Sequence, residues 1–339
     1  MPVGNPPPVA PKPPSAKRQF WLVLSDPCGL VCIAITYFVV LFVNFVTVRH
    51  IVLPWFFYAP LDSRGKPRGY NVDYRTGLLQ IIAFEATIVM IFWSHLKCML
   101  TNPGTLKRLW PQKILDSVTE AVKLRRAEDE QARKAIADGK PSVPARRRTK
   151  VQWCSKCDNY KPKHTHHCSY CGTCVENMDH HCPWMNNCVG KRNHKFFMLF
   201  LLYVGLGSGY AMCITIMRLV TCFKTRPKPA MAMNCSNSSS LFVIMTLISI
   251  IFSLLFMLFV TCMGWEQLAE IGDATTMIEK KKGEAAERRG LCNGLAQLFG
   301  EKMSIRWFLP VRHDEAKNLF PPLSKFYSTC KYLSAPVKL

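Results

Sequence analysis

The sequence predicts an α-helical membrane protein of four transmembrane helices, with a cytoplasmic two-zinc cysteine-rich domain inserted between the second and third. Three observations predict it. The apolar residues, 49% of the 339, gather into four long runs. Seven of the 16 cysteines fall between Cys154 and Cys188, interleaved with five histidines. The segment between the second and third runs holds about twenty Lys and Arg residues, against about five between the first and second.

The runs at 30–48, 77–93, 196–217 and 241–263 are dominated by aliphatic and aromatic side chains. Each approaches the ~20 residues that cross a ~30 Å hydrocarbon layer. Glu85, inside the second run, would cost roughly 2.5 to 3.5 kcal/mol at the bilayer centre. A hydrogen bond to a neighbouring helix is the expected compensation, ahead of a functional polar site. The excess of positive charge places the long segment in the cytosol, and an even number of spans puts both termini there too. Two glycosylation patterns, Asn234-Cys235-Ser236 and Asn237-Ser238-Ser239, fall in the short loop on the opposite side.

The chain divides accordingly. Residues 1–20 read as a disordered proline-rich cytoplasmic tail with no cleavable signal, and 28–100 hold the first two helices. Residues 101–150 form a cytoplasmic linker, in which Ile114, Leu115, Val118, Val122 and Leu124 recur at helical spacing and predict one amphipathic helix over 113–138. The cysteine-rich block occupies 151–195, the last two helices 196–263 and a cytoplasmic C-terminal domain 264–339. The formal charge of +22 does not point to nucleic acid, because no reader motif is present and the cations flank the membrane runs. There they hold orientation and attract anionic lipid.

The cysteine-rich block reads as metal chemistry in a reducing compartment rather than as disulfides. Structural zinc takes four tetrahedral ligands from thiolate and imidazole, and Cys154-x-x-Cys157 offers two sulfurs from one tight turn. The segment is too short for a sizeable core of its own, so metal is the source of its stability. Adjacent residues on an extended chain point opposite ways, so His167 and Cys168 belong to different ions, and His181 and Cys182 likewise diverge. Spacing leaves open whether Cys171 pairs with Cys168 or with Cys174. If each site is Cys3His, six of the seven cysteines are used and one is spare.

The block contains Cys154-x-x-Cys157, nine residues, His167-Cys168-x-x-Cys171-x-x-Cys174, four residues, Asp179-His180-His181-Cys182, five residues and Cys188, followed by Asn193 and Phe197. At these residues, and in its four-span layout, the chain resembles the DHHC family of protein S-acyltransferases. The resemblance implies one zinc on Cys154, Cys157, His167 and Cys174 and another on Cys168, Cys171, His181 and Cys188, with Cys182 the spare thiol. It also implies transfer of a long acyl group, palmitoyl or similar, from acyl-coenzyme A to cysteines of cytoplasmic or membrane-associated proteins, in the endoplasmic reticulum or Golgi. Two departures stand out. Asn102-Pro103-Gly104 replaces Asp-Pro-Gly, and Thr276-Met277-Ile278-Glu279 has methionine where the family has a second threonine.

A cysteine of pKa ~8.5 is mostly protonated at neutral pH, so an acyl-accepting thiol needs a neighbouring base or cation. His180 is the expected base and Asp179 the group that orients it. Cys182 would attack acyl-coenzyme A and then yield the acyl group to a substrate cysteine, both zinc ions staying structural. Pro183-Trp184 would hold Cys182 at the membrane boundary, with Phe197 and Phe200 facing the acyl chain. Lys191 and Arg192 would meet coenzyme A phosphates or serve as ordinary basic flanks. Gly205, Gly207 and Gly209 in the third span would allow close helix packing or deepen the acyl cavity. The alternative function is a membrane-anchored zinc module that only binds partners, but it has no use for the spare cysteine. A transporter would need intramembrane charges or broken helices beyond Glu85.

Overall fold

The computed structural model describes residues 26–57, 74–106, 152–162, 164–224, 240–283, 289–301 and 303–312, with single positions between 116 and 138. Helix α1 (Pro27–Phe45) opens on proline, whose fixed φ suits a first helical turn. It continues through a π-helical stretch, Val46–Val52, into α2 (Leu53–Phe56). The long helices α3 (Tyr74–Leu100), α4 (His194–Lys224) and α5 (Ser240–Asp273) complete the bundle. Among the described residues, four stretches have the length and apolarity to cross a membrane: Pro27–Phe56, Tyr74–Leu100, His194–Thr221 and Val243–Asp273. The second has the lowest mean hydropathy, 1.7, because it carries Glu85. Asn44 of α1 donates to Glu85 Oε1 at 2.9 Å, the interhelical bond expected there. Phe38, Leu79, Val89 and Leu254 lie exposed on the outside, as a lipid-facing surface requires.

The helices outrun the apolar segments that predict them. At the end of α3, Ser94, His95 and Cys98 are fully buried. Helix α5 runs on to Asp273, because Gln267 and Glu270 are buried beyond the last apolar run. The 263/264 boundary thus falls inside a helix. Between 116 and 138, Asp116, Glu120, Lys123, Glu130 and Lys134 are helical and exposed. The apolar positions of that predicted amphipathic helix, residues 1–20, the arginine triplet and both glycosylation patterns lie outside the described residues.

The cysteine-rich block folds as three two-stranded antiparallel sheets: β1 (Gln152–Cys154) with β2 (Asn159–Lys161), β3 (Thr165–Cys168) with β4 (Thr173–Glu176), and β5 (His180–Cys182) with β6 (Asn187–Val189). It is fastened to the end of α3. Asn187 Nδ2 donates to the carbonyls of Cys98, Met99 and Thr101, and Asn193 Nδ2 to those of Cys98 and Cys188. The bonds to Cys98 and Met99 satisfy carbonyls that the last turn of α3 leaves open. Asn102 Oδ1 accepts from the Gly104 and Thr105 amides, so asparagine makes this turn without the family's carboxylate. The main core joins Phe84, Ile88 and Ile91 of α3 to Phe196, Phe197 and Phe200 of α4, and takes in Cys182, Met185 and Val189 from the block.

Candidate functional site

The hairpin registers sort the ligands. His167 lies directly opposite Cys174, and His181 directly opposite Cys188. Side chains alternate along a strand, so His167 and its neighbour Cys168 leave β3 on opposite faces. The donor atoms of Cys154, Cys157, His167 and Cys174 lie within 4.8 Å of one another, and those of Cys168, Cys171, His181 and Cys188 form a second such group. Cys171 therefore joins Cys168, which settles the choice that spacing left open. With Zn–S near 2.3 Å, a tetrahedral site has S···S edges of about 3.8 Å and S···N edges of about 3.5 Å. In the first group Nδ1 of His167 is 3.6 Å from Cys154 and 3.2 Å from Cys157, and Cys157 is 3.7 Å from Cys174. In the second, Nδ1 of His181 is 3.6 Å from Cys168, 3.5 Å from Cys171 and 3.6 Å from Cys188. Both Cys3His groups fit zinc, and each closes its coordination sphere with protein ligands.

The outer nitrogen of His181 is held as well. Its Nε2 donates to Asp26 Oδ2 at 3.3 Å, and the Tyr170 ring stacks on its imidazole at 4.6 Å. Such a carboxylate fixes the tautomer that aims Nδ1 at the metal.

Cys182 leaves β5 on the face opposite His181. It precedes a 3₁₀ turn, Pro183–Met185, which ends with Asn186 in the left-handed region at φ 44. This turn packs on α1 at Gly29, where an added Cβ would lie 2.3 Å from Asn186 Oδ1. Cys182 then borders an apolar cavity of about 220 Å³ with Trp184 and Met185, Phe197 and Phe200 of α4, Thr36 of α1 and four α5 residues, Leu255, Phe256, Phe259 and Val260. A smaller cavity lies deeper between the helices, lined by Gly207 and Ile91 and sharing Phe256 with the first. Gly205 and Gly209 instead face α5, where an added Cβ would lie 3.4 Å from Val260 Cγ2 and 2.8 Å from Met257 Cε. Buried His95 of α3 braces the turn: Nε2 donates to the Trp184 carbonyl at 2.9 Å and Nδ1 accepts from Tyr37 at 3.1 Å.

His180 Nδ1 donates to Asp179 Oδ2 at 2.8 Å. Burial works to lower the His180 pKa, but the Asp179 carboxylate and the neighbouring Cys182 sulfur raise it to about 9. Burial opposes ionisation of Asp179 too, yet His180 and the Met277 backbone N–H hold it well below the usual carboxylate range. Met277 N donates to Asp179 Oδ1 at 2.7 Å, so the position where the family has threonine contributes through its backbone. It opens α6 (Met277–Lys281), capped reciprocally by Thr276 and Glu279. Glu279 accepts from His164 Nδ1 at 2.6 Å, docking this helix on the block. Lys191 is drawn to Glu176 at 2.5 Å, and the Arg192 backbone N–H donates to the Pro103 carbonyl.

Cys182, Trp184, Phe197 and Phe200, singled out from the sequence, thus meet at one cavity, with His180 and Asp179 behind the thiol. Asp26, His95, Gln267 and the α5 aromatic residues carried no motif. Gln267 and Glu270 do stand out as paired polar residues, three apart, just past an apolar run.

These features mark out one class of protein: a membrane helix bundle whose inserted block carries two Cys3His groups fit for metal and one further cysteine facing an apolar cavity. A family model described as DHHC palmitoyltransferase matches residues 148–284. The chain is 30% identical over 309 residues to palmitoyltransferase ZDHHC3-A of Danio rerio, covering 90% of this chain and 83% of that protein. It is 30% identical over 307 residues to palmitoyltransferase ZDHHC3 of Homo sapiens, covering 89% and 87%. It is 29% identical over 295 residues to palmitoyltransferase ZDHHC7 of Mus musculus, covering 86% and 81%. The chain belongs to the DHHC palmitoyltransferase family, and its enzyme class is protein S-acyltransferase.

Proposed function

We propose that Cys182 accepts a long-chain acyl group from acyl-coenzyme A and passes it to cysteine thiols of membrane-associated proteins in a ping-pong reaction. One observation carries this reading. Of the seven cysteines in the block, Cys182 alone stands outside both metal groups, and it borders the apolar cavity instead.

The chemistry follows from the neighbours. His180, held by Asp179, takes up the thiol proton or keeps it as imidazolium beside the sulfur, favouring negative charge there. The sulfur attacks the thioester carbonyl, coenzyme A leaves as its thiol, and the acyl chain lies among Trp184, Phe197, Phe200 and the α5 aromatic residues. A substrate thiol then attacks the Cys182 thioester, and the proton it loses returns to the Cys182 sulfur by way of His180. Zinc, when bound, supplies the fold of the block, because a closed four-ligand site has no position for water or substrate. Lys191 and Arg192 would meet coenzyme A phosphates, with Glu176 competing for Lys191. Reaction would occur at the cytoplasmic face, on cysteines beside the membrane, with both termini cytoplasmic and the protein in Golgi or endoplasmic reticulum.

The test uses the purified full chain with labelled palmitoyl-coenzyme A and no acceptor protein. The wild type should release coenzyme A in a burst and carry one hydroxylamine-sensitive label per chain at Cys182. Loss of that label in Cys182→Ser, with zinc content kept, supports the reading; a label that persists in Cys182→Ser sinks it.

A further inference from the structure

Buried Asp179 receives three hydrogen bonds, and the third comes from a residue with no place in the motifs. His180 Nδ1 and the Met277 backbone N–H supply two; the Gln267 amide of α5 supplies the other, donating to Asp179 Oδ2 at 2.8 Å. Gln267 is fully buried and spends every polar hydrogen. Its Nε2 also donates to Glu270 Oε2 at 2.9 Å, while its Oε1 accepts from His194 Nε2 at 2.6 Å. Turning the amide over would aim its oxygen at two carboxyl groups and its NH2 at a ring N–H, losing all three bonds. An ionised Asp179 can only accept, so the amide presents its NH2 to it, and His194, the first residue of α4, then meets the amide oxygen through Nε2–H.

A continuous series results: His194 meets Gln267, Gln267 sets Asp179, Asp179 sets His180, and His180 stands beside Cys182. An amide suits this position. A carboxylate would repel Asp179, and an apolar side chain would leave that buried carboxylate short of a donor, which is costly in a low-dielectric interior.

We infer that Gln267 is a positioning residue for the transfer reaction, its amide holding the Asp179 carboxylate in the rotamer from which Oδ2 meets His180 Nδ1. The inference rests on the reading that Cys182 carries the acyl group. The titratable groups facing Gln267 are Asp179 and Glu270 on the donor side and His194 on the acceptor side, with His180 one bond further.

The experiment measures single-turnover acylation of the full-length enzyme by palmitoyl-coenzyme A against pH, with zinc content measured in parallel, for wild type, Gln267→Leu and Gln267→Glu. Both variants should keep two zinc ions and lose about tenfold to a hundredfold in acylation rate at neutral pH. Gln267→Glu carries the signature. Protonated, the introduced carboxyl can still donate to Asp179 and accept from His194, so its rate should recover toward wild type as pH falls, while Gln267→Leu stays depressed. A pH-independent defect in Gln267→Glu, a rate within twofold of wild type in both variants, or loss of zinc from Gln267→Glu would each overturn the inference. If Gln267→Leu does not fold, Gln267→Glu decides alone. Failure of the parent reading looks different: the wild type itself would then form no thioester at Cys182.

Discussion

The carboxylate of Asp26, at the entrance to the first transmembrane helix, accepts a hydrogen bond from Nε2 of His181, whose Nδ1 faces three cysteine sulfurs. The residue ahead of α1 is thereby tied to the second metal group, 155 positions away in sequence. Outer carboxylates of this kind typically contribute tenfold to a hundredfold in metal affinity, roughly. Asp26→Ala should therefore lose one of two zinc ions faster than wild type under chelator competition, with Asp26→Asn intermediate. Equal release rates in all three proteins would show that the hydrogen bond does not steady the ligand.

Glu279 fastens α6 to the block through His164, and α6 brings the Met277 amide to Asp179. Burial would raise the Glu279 pKa, but the His164 hydrogen bond and the Thr276 amide bring it below the ordinary 4.5. A carboxylate depressed in the folded state stabilises fully above its unfolded value, and that contribution fades only as pH falls through the folded value. The Glu279 carboxylate should thus stay ionised, and its own share in docking α6 constant, between about pH 6 and 8. Glu279→Gln should weaken that docking by about 1.5 to 3 kcal/mol, the cost of lost hydrogen bonds to a charged group. Hydrogen exchange over residues 276–283 reads both; equal protection in mutant and wild type would contradict the role.

What could be read in advance depended on range along the chain. Apolar runs and alternation of side chains on a strand are local properties, so the four helices and the divergence of His181 from Cys182 were legible. The ligand partition was not legible from spacing, because it depends on how β3 pairs with β4 and β5 with β6. The braces Asp26, His95 and Gln267 act across 155, 89 and 88 positions, and nothing local marks them. Glu85 was half legible: its cost implied a partner, but only packing of α1 on α3 identified Asn44.

Gly207 lines the deeper cavity, whereas Gly209 abuts α5. A Cβ at Gly207 would meet Ile91 Cδ1 at 3.3 Å, a flexible side-chain end, so a larger group there has room to turn into the cavity. Gly207→Tyr should disfavour longer chains. With ~0.8 kcal/mol per buried methylene, two methylenes correspond to about fifteenfold discrimination between stearoyl- and palmitoyl-coenzyme A. Competition between the two donors at Cys182 measures it. Gly209→Ala, whose Cβ would meet Met257 Cε at 2.8 Å, also a flexible side-chain end, points at α5 rather than into the cavity and should leave the ratio unmoved. An unchanged ratio in Gly207→Tyr would assign Gly207 to packing alone.

His181 and Cys182 are covalent neighbours with opposite destinations, one in the second metal group and the other at the cavity. Zinc content and acyl label should therefore separate at a single peptide bond. His181→Ala removes the only imidazole of its group, leaving three sulfurs and an open position, and should drop the zinc content from two per chain toward one. Its label should fall too, since β5 carries both side chains and loses its anchor to Cys188. Cys182→Ala should keep both ions and lose only the label. Metal analysis of the two purified variants, with wild type alongside, measures the difference. Two zinc ions in His181→Ala, or one in Cys182→Ala, would mean that the alternation along β5 runs the other way.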